Sequence, residues 1–222
     1  VDVEGSGQNT TTINCACSSN NFDASGAVIS AGAITAEIRH LTINNTGGSN
    51  DFAFGVYTNG VADGSFSMLH VTATATDGQF NNHGVSNRSS SSPTMNNVTA
   101  TATGGADDNY GVYNFLSSPT MNNVTATATD GTNDNYGVGN VLSSPTMNNV
   151  TATATATGGA NNFGVYNGVS SPSMNNVTAT ATGGANNNYG VFNLTSSSPS
   201  MNNVTATATG GDDNYGGYND SS

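Results

Sequence analysis

The chain is nearly devoid of positive charge. Its 222 residues contain no lysine and only two arginines, Arg39 and Arg88, against 14 acids, for a net charge of −12. Phosphate backbones are gripped by clustered Lys and Arg, so no nucleic-acid partner is expected. The same shortage argues against an anionic membrane surface. No apolar run approaches the roughly 20 residues that cross a bilayer, so no membrane insertion is expected. Glutamate occurs only as Glu4 and Glu37. No secretory leader is visible ahead of Val1, and we read the chain as already processed, secreted and extracellular or held at a cell surface.

Cysteine is confined to Cys15 and Cys17. The C-x-C spacing is awkward for an internal bridge, which wants Cα atoms about 4.4–6.8 Å apart and converging Cβ vectors. Two small buried thiols are the expectation, with a bridge to a neighbouring chain as the alternative. A metal at this pair lacks further ligands.

Low charge with much Gly, Asn, Ser and Thr can mark disorder, but a disordered chain lacks periodic apolar positions. Here the phrase "TMNNVTATATGG" (94–105) returns along the chain. Its apolar opening residue falls at Met68, Met95, Met121, Met147, Met174 and Met201, in steps of 27, 26, 26, 27 and 27 residues. "IRHLTINNTGG" from Ile38 is a looser copy. About seven copies fill 38–222, leaving 1–37 as an N-terminal cap or inter-subunit docking segment.

Strict Val-Thr-Ala-Thr-Ala-Thr alternation is a strand signal, with Val98, Ala100 and Ala102 on one face and Thr99, Thr101 and Thr103 on the other. One copy, "VTATATATGG" (150–159), is longer by two residues. A two-residue change leaves every side chain on its face, whereas a one-residue change inverts them all. One copy cannot bury its own apolar face, but stacked copies can. The expected fold is therefore all-β: a β-solenoid of about seven coils, each with three short strands. At about 4.8 Å per coil the array is a rod of roughly 30–35 Å. Met95, Met121, Met147, Met174 and Met201 form one inward column, and Val98, Val124, Val150, Val177 and Val204 another.

The repeat "SSPTMNNVTATATGG…NYGVYN" resembles the right-handed parallel β-helix, or pectate-lyase-like, superfamily over about 38–222. It is most similar to secreted bacterial β-solenoid repeat proteins of uncertain role. The resemblance implies an internal Asn ladder at the tight turn, here Asn97, Asn123, Asn149, Asn176 and Asn203, with His40 and His70 in the same slot. Asn tolerates the left-handed conformation that such a turn needs.

The superfamily includes polysaccharide lyases and hydrolases, but nothing in the repeat supplies their chemistry. Glycoside hydrolysis wants two carboxylates flanking the substrate, and both glutamates lie outside the array or at its edge. Asp77, Asp107, Asp108, Asp130, Asp134, Asp212 and Asp213 fall in turns where other copies carry Asn, an interchange that suits turn-forming residues. No enzyme is expected. Calcium at Asp107, Asp108 and Asp134 is the one cofactor considered, although six to eight oxygens are needed. N-x-S/T sequons mark Asn9, Asn44, Asn87 and Asn193 as possible glycosylation sites.

Two outward features remain. Nineteen Thr between Thr72 and Thr209, including Thr99, Thr101, Thr103, Thr125, Thr127 and Thr129, form a lattice of hydroxyls and methyls. That lattice resembles the face of β-solenoid ice-binding proteins. In "YGVYN", Tyr110, Tyr136, Phe163, Tyr189 and Tyr215 share parity with the inward Val and are expected inside or at a corner. Tyr57, Tyr113, Tyr166, Phe192 and Tyr218 have the opposite parity and are expected as an exposed stripe, suited to stacking on glycans or a surface polysaccharide. The last copy stops without an evident cap, so the leading functional expectation is an extracellular structural subunit. It would stack head-to-tail with copies of itself into a filament, fibre or sheath with an adhesive or matrix role. Ice binding and carbohydrate binding or degradation are the alternatives.

Overall fold

A computed structural model describes residues 2–32, 34–48, 50–61, 65–158 and 161–220. The chain winds into the parallel β-helix implied by the repeat. Two parallel sheets, of ten and eight strands, run the length of the solenoid. Neighbouring coils pair like on like: Met121 lies beside Met95 and Met147, and Thr127 beside Thr101 and Thr153. Three short strands per coil are seen at Thr120–Asn122, Thr125–Thr129 and Asp134–Val141. In other coils the first two read as one bent strand, such as Thr94–Thr103.

The bend is the expected left-handed residue: φ is 54° at Asn97, 53° at Asn123 and 52° at Asn149, and His40 and His70 take the same conformation. The Asn ladder itself exists, but outside. Asn123 Nδ2 donates to Asn97 Oδ1 at 3.1 Å and Asn149 to Asn123 at 3.1 Å, both exposed. The inward positions on either side of the corner belong to Met95 and Val98, so the corner residue itself is turned toward solvent.

The internal ladder is made by the last Asn of each "YGVYN". Asn87, Asn114, Asn140, Asn167 and Asn193 pass an amide hydrogen bond from coil to coil at 2.8–2.9 Å in the core. Each amide both donates and accepts, so the row satisfies itself away from water. Asn87 and Asn193 are thus buried ladder members and not surface glycan acceptors. Asn9 is exposed and Asn44 half-buried.

Met95, Met121, Met147 and Met174 are fully enclosed with the Val and Ala columns. Burial of each Met or Val contributes roughly 1.5–3 kcal/mol. Met201 is 51% exposed because no described coil covers it.

Gly111 explains the repeated glycine of "YGV". A Cβ there would lie 2.5 Å from Thr127 N and 2.7 Å from Gly137 O, so the backbones of the two sheets touch. The ladder skips this residue, pairing Tyr136 with Tyr110 and then Val138 with Val112. The skipped residue shifts the alternation by one. Asn109 and Val112 both face inward, and Tyr110 and Tyr113 both face outward. The Tyr110 column therefore does not share the core face with Val112; of the two placements expected, inside or at a corner, the first is corrected.

The two-residue insertion behaves as expected. Thr155 pairs with Thr129 on one side and Thr182 on the other, and the extra length emerges at Ala156 and beyond.

The segment 1–37 extends the solenoid by a partial coil: Val3–Glu4 and Thr12–Cys15 lie parallel on Ala36–Asn45, and Ala27–Ala31 on Phe52–Asn59. Cys15 and Cys17 are bonded to each other, with Cα atoms 5.3 Å apart. The expectation of two free thiols is corrected. The extended strand ends at Cys15, and the irregular backbone that follows leaves the second Cα within bridging range.

Candidate binding faces

The outer face of the long-strand sheet is a threonine lattice. Thr72, Thr74 and Thr76 pair with Thr99, Thr101 and Thr103, and the match continues through four more coils to Thr205, Thr207 and Thr209. The alternating Ala residues point inward and are buried from Ala73 to Ala181, with Ala206 half-buried in the last coil, which leaves only Thr on the outside. Rows lie about 4.8 Å apart and columns about 6.6–6.8 Å apart. The hydroxyls reach each other at the turn side: Thr103 and Thr129 Oγ1 atoms are 3.1 Å apart, and those of Thr155 and Thr182 3.0 Å. No charged side chain interrupts these three columns.

The outer face of the other sheet carries aromatic rings in two columns. His83, Tyr110, Tyr136, Phe163, Tyr189 and Tyr215 stack at centroid distances of 4.5–5.3 Å, with planes within 10° of parallel. Tyr166, Phe192 and Tyr218 stack similarly at 5.4–5.6 Å. The second column is not the exposed stripe expected from parity. Tyr57 is 4% exposed, while Tyr113, Tyr166 and Phe192 are half-buried against the first column; Tyr218 is 37% exposed. Rings inside a stack have their faces covered by neighbours one coil away and offer edges, whereas a sugar stacks on a ring face. The second column is interrupted at Ser86 and Gly139, which stand beside Tyr113 and Tyr166, and Tyr215 and Tyr218 belong to the last described coil.

Along the Gly-rich turns, acceptor side chains climb from coil to coil. Asp108 N donates to Asn81 Oδ1, Asp134 N to Asp108 Oδ1, Asn161 N to Asp134 Oδ1 and Asn187 N to Asn161 Oδ1, all at 3.1–3.2 Å. Tyr110 and Tyr136 hydroxyls donate to Asp108 and Asp134 at 3.3 and 3.0 Å. Burial, then the charges of Asp107 and Asp134, push the Asp108 carboxyl up to about 6. Burial also raises both tyrosines, Tyr110 well above its ordinary range. Asp77 and Asp130 sit in left-handed turn positions, with φ of 56° and 58°. Asp108 and Asp134 are adjacent, as expected, but among the described residues no group of three or more acidic, His or Cys side chains is placed to hold a metal.

Glu4 and Glu37 both bind Arg39, at 3.0 and 2.7 Å, and His40 stacks on His70 at 5.2 Å. At the far end, Met201, Val204, Ala206 and Val191 line an open concavity of about 500 Å³. A further coil, of this chain or of another, would cover it.

Two features were missed in the sequence: the buried Asn114 ladder and a polar cluster around His83. Both follow from the shift at the glycine of each coil, Gly84 beside His83 and Gly111 before Asn114, whose only sequence signal is the repeated glycine inside a strand pattern.

No protein-family model and no curated protein matches this chain. Among solved structures, it is similar to a pectin methylesterase from carrot, with 14% identity and a TM-score of 0.43, over 98% of this chain and 66% of the enzyme. The chain thus spans about two thirds of that enzyme's length.

Proposed function

We propose that this protein is a non-catalytic, extracellular β-solenoid that adsorbs to a regular surface through its threonine face, with ice as the surface it suits best. One observation carries the reading: three Thr columns are held in register over six coils and are free of charge. Hydroxyls at fixed spacing anchor ordered water, and the methyls beside them disfavour bulk solvation. A diffusing ligand does not need such long-range regularity, whereas a lattice does. The Cys15–Cys17 bridge fits an oxidising, extracellular compartment. The Asp108 and Asp134 carboxylates accept backbone N–H groups from the next coil, a role in holding the turns.

The test is thermal hysteresis and ice-crystal shaping by the purified chain. Thr127→Tyr, in the middle of the lattice, removes most of the activity, while Leu142→Asn on an exposed left-handed corner leaves it intact. Absence of hysteresis in the parent chain, or equal activity of both variants, sinks the proposal.

End-to-end stacking into a filament or sheath is the second reading, favoured by backbone and Asn ladders that repeat from coil to coil and that a stacked copy would continue. Met201→Glu lowers the assembly state on electron micrographs if copies meet there. A monomeric parent chain at high concentration removes this reading.

A further inference from the structure

Among the described residues, six buried side-chain polar atoms have no hydrogen-bond partner, and four of them lie on one strand: both His83 nitrogens, Ser86 Oγ and Arg88 Nε. Native proteins leave few such atoms, because each gives up its hydrogen bonds to water without a replacement. Their concentration within six residues is therefore a local feature and not background.

The repeat locates the anomaly. In the coil of Asn81–Arg88, His83 stands where the next coil has Tyr110, and Ser86 where it has Tyr113. Both are fully buried. Burial holds His83 well below its ordinary range, so the ring is neutral and offers one donor and one acceptor. The cover is the N-terminal segment. Phe22 lies 5.8 Å from the His83 ring and 3.9 Å from Phe52, and the Arg88 guanidinium sits 3.8 Å over it. Arg88 also faces Tyr113 and Phe115 at 5.1 and 5.5 Å. No carboxylate among the described residues pairs with it, in a chain with 14 acids. Phe22 is a light cover: it is 38% exposed, and its segment is pinned by the Ser19–Phe52 bridge and one bond from Tyr57 OH to Phe22 O at 3.1 Å.

We propose that His83, Ser86 and Arg88 form a binding slot for a small aromatic carboxylate, which Phe22 occupies in the unliganded chain. The ligand ring takes the place of the Phe22 ring between Phe52 and the guanidinium. Its carboxylate pairs with Arg88, an interaction whose bidentate geometry favours Arg, and brings acceptors to Ser86 and to the His83 donor. The missing tyrosine of the second column is what leaves the room.

Benzoate is the probe, followed by calorimetry and by NMR of the His83 and Arg88 side chains. Phe22→Ala binds benzoate saturably and at least tenfold more tightly than the parent chain, because the competing ring is gone. Phe22→Ala/Arg88→Gln loses at least tenfold relative to Phe22→Ala. Acetate and benzyl alcohol, each with half of the chemistry, bind at least tenfold more weakly than benzoate. Circular dichroism confirms that each variant keeps its β-solenoid. The proposal is overturned if folded Phe22→Ala shows no saturable benzoate binding, if Arg88→Gln binds equally well, or if a crystal structure shows ordered water alone satisfying Ser86 and His83 in the presence of benzoate.

Discussion

Asp108→Asn should stabilise the solenoid at neutral pH and remove one pH-dependent step. Asp108 is a half-buried rung of the turn ladder. Its Oδ1 accepts the Asp134 N–H at 3.1 Å and the Asn133 amide at 3.2 Å. Asn161 does the same work in the coil after next, accepting from Asn187 N at 3.2 Å, so an amide fits the geometry. Burial, Asp107 and Asp134 raise the Asp108 carboxyl to about 6, against about 3.9 in an unfolded chain. A raised carboxyl favours the folded state when protonated. Its stabilisation is complete below about pH 4 and is lost as pH climbs through about 6. The two-unit difference sets a ceiling of about 3 kcal/mol, since each unit is worth about 1.4 kcal/mol. In urea unfolding from pH 4 to 8, the variant and parent differ little at pH 4. The gap then opens through pH 6 to about 1–3 kcal/mol in favour of the variant. A gap independent of pH, or a less stable variant at pH 8, refutes the reasoning.

Met147→Ala empties a core position between Met121 and Met174 and lowers stability by about 2–5 kcal/mol in the same assay. Gly137→Ala places a methyl 2.6 Å from both Gly164 O and Thr153 N; it costs about 1–3 kcal/mol or more and lowers the melting temperature. Asn140→Ala leaves the Asn114 donor and the Asn167 acceptor unpaired in the core. The expected loss is about 1–3 kcal/mol per orphaned group, with local amide exchange accelerating in those two neighbours.

Much of the architecture was legible in the residues. The 26–27-residue step and the Thr/Ala alternation determine coil length, stacking register and the identity of the Met, Val and Thr columns, because a period-two pattern with one apolar face has a single satisfactory register. The left-handed corner at Asn97 was legible too, since Asn is among the few residues that adopt it cheaply. Tertiary structure decided what local alternation cannot express. Close approach of the two sheets at Gly111 drops one residue from the ladder, turns Tyr110 outward and sends Asn114 into the core. It also decided that the Asn97 ladder faces solvent, that Cys15 and Cys17 meet, and that Phe22 closes over His83. The Asn97 ladder and the Phe22 cover depend on contacts between segments far apart in the chain, whose distances follow from winding; the bridge depends on the local backbone path between Cys15 and Cys17, which their spacing alone does not give.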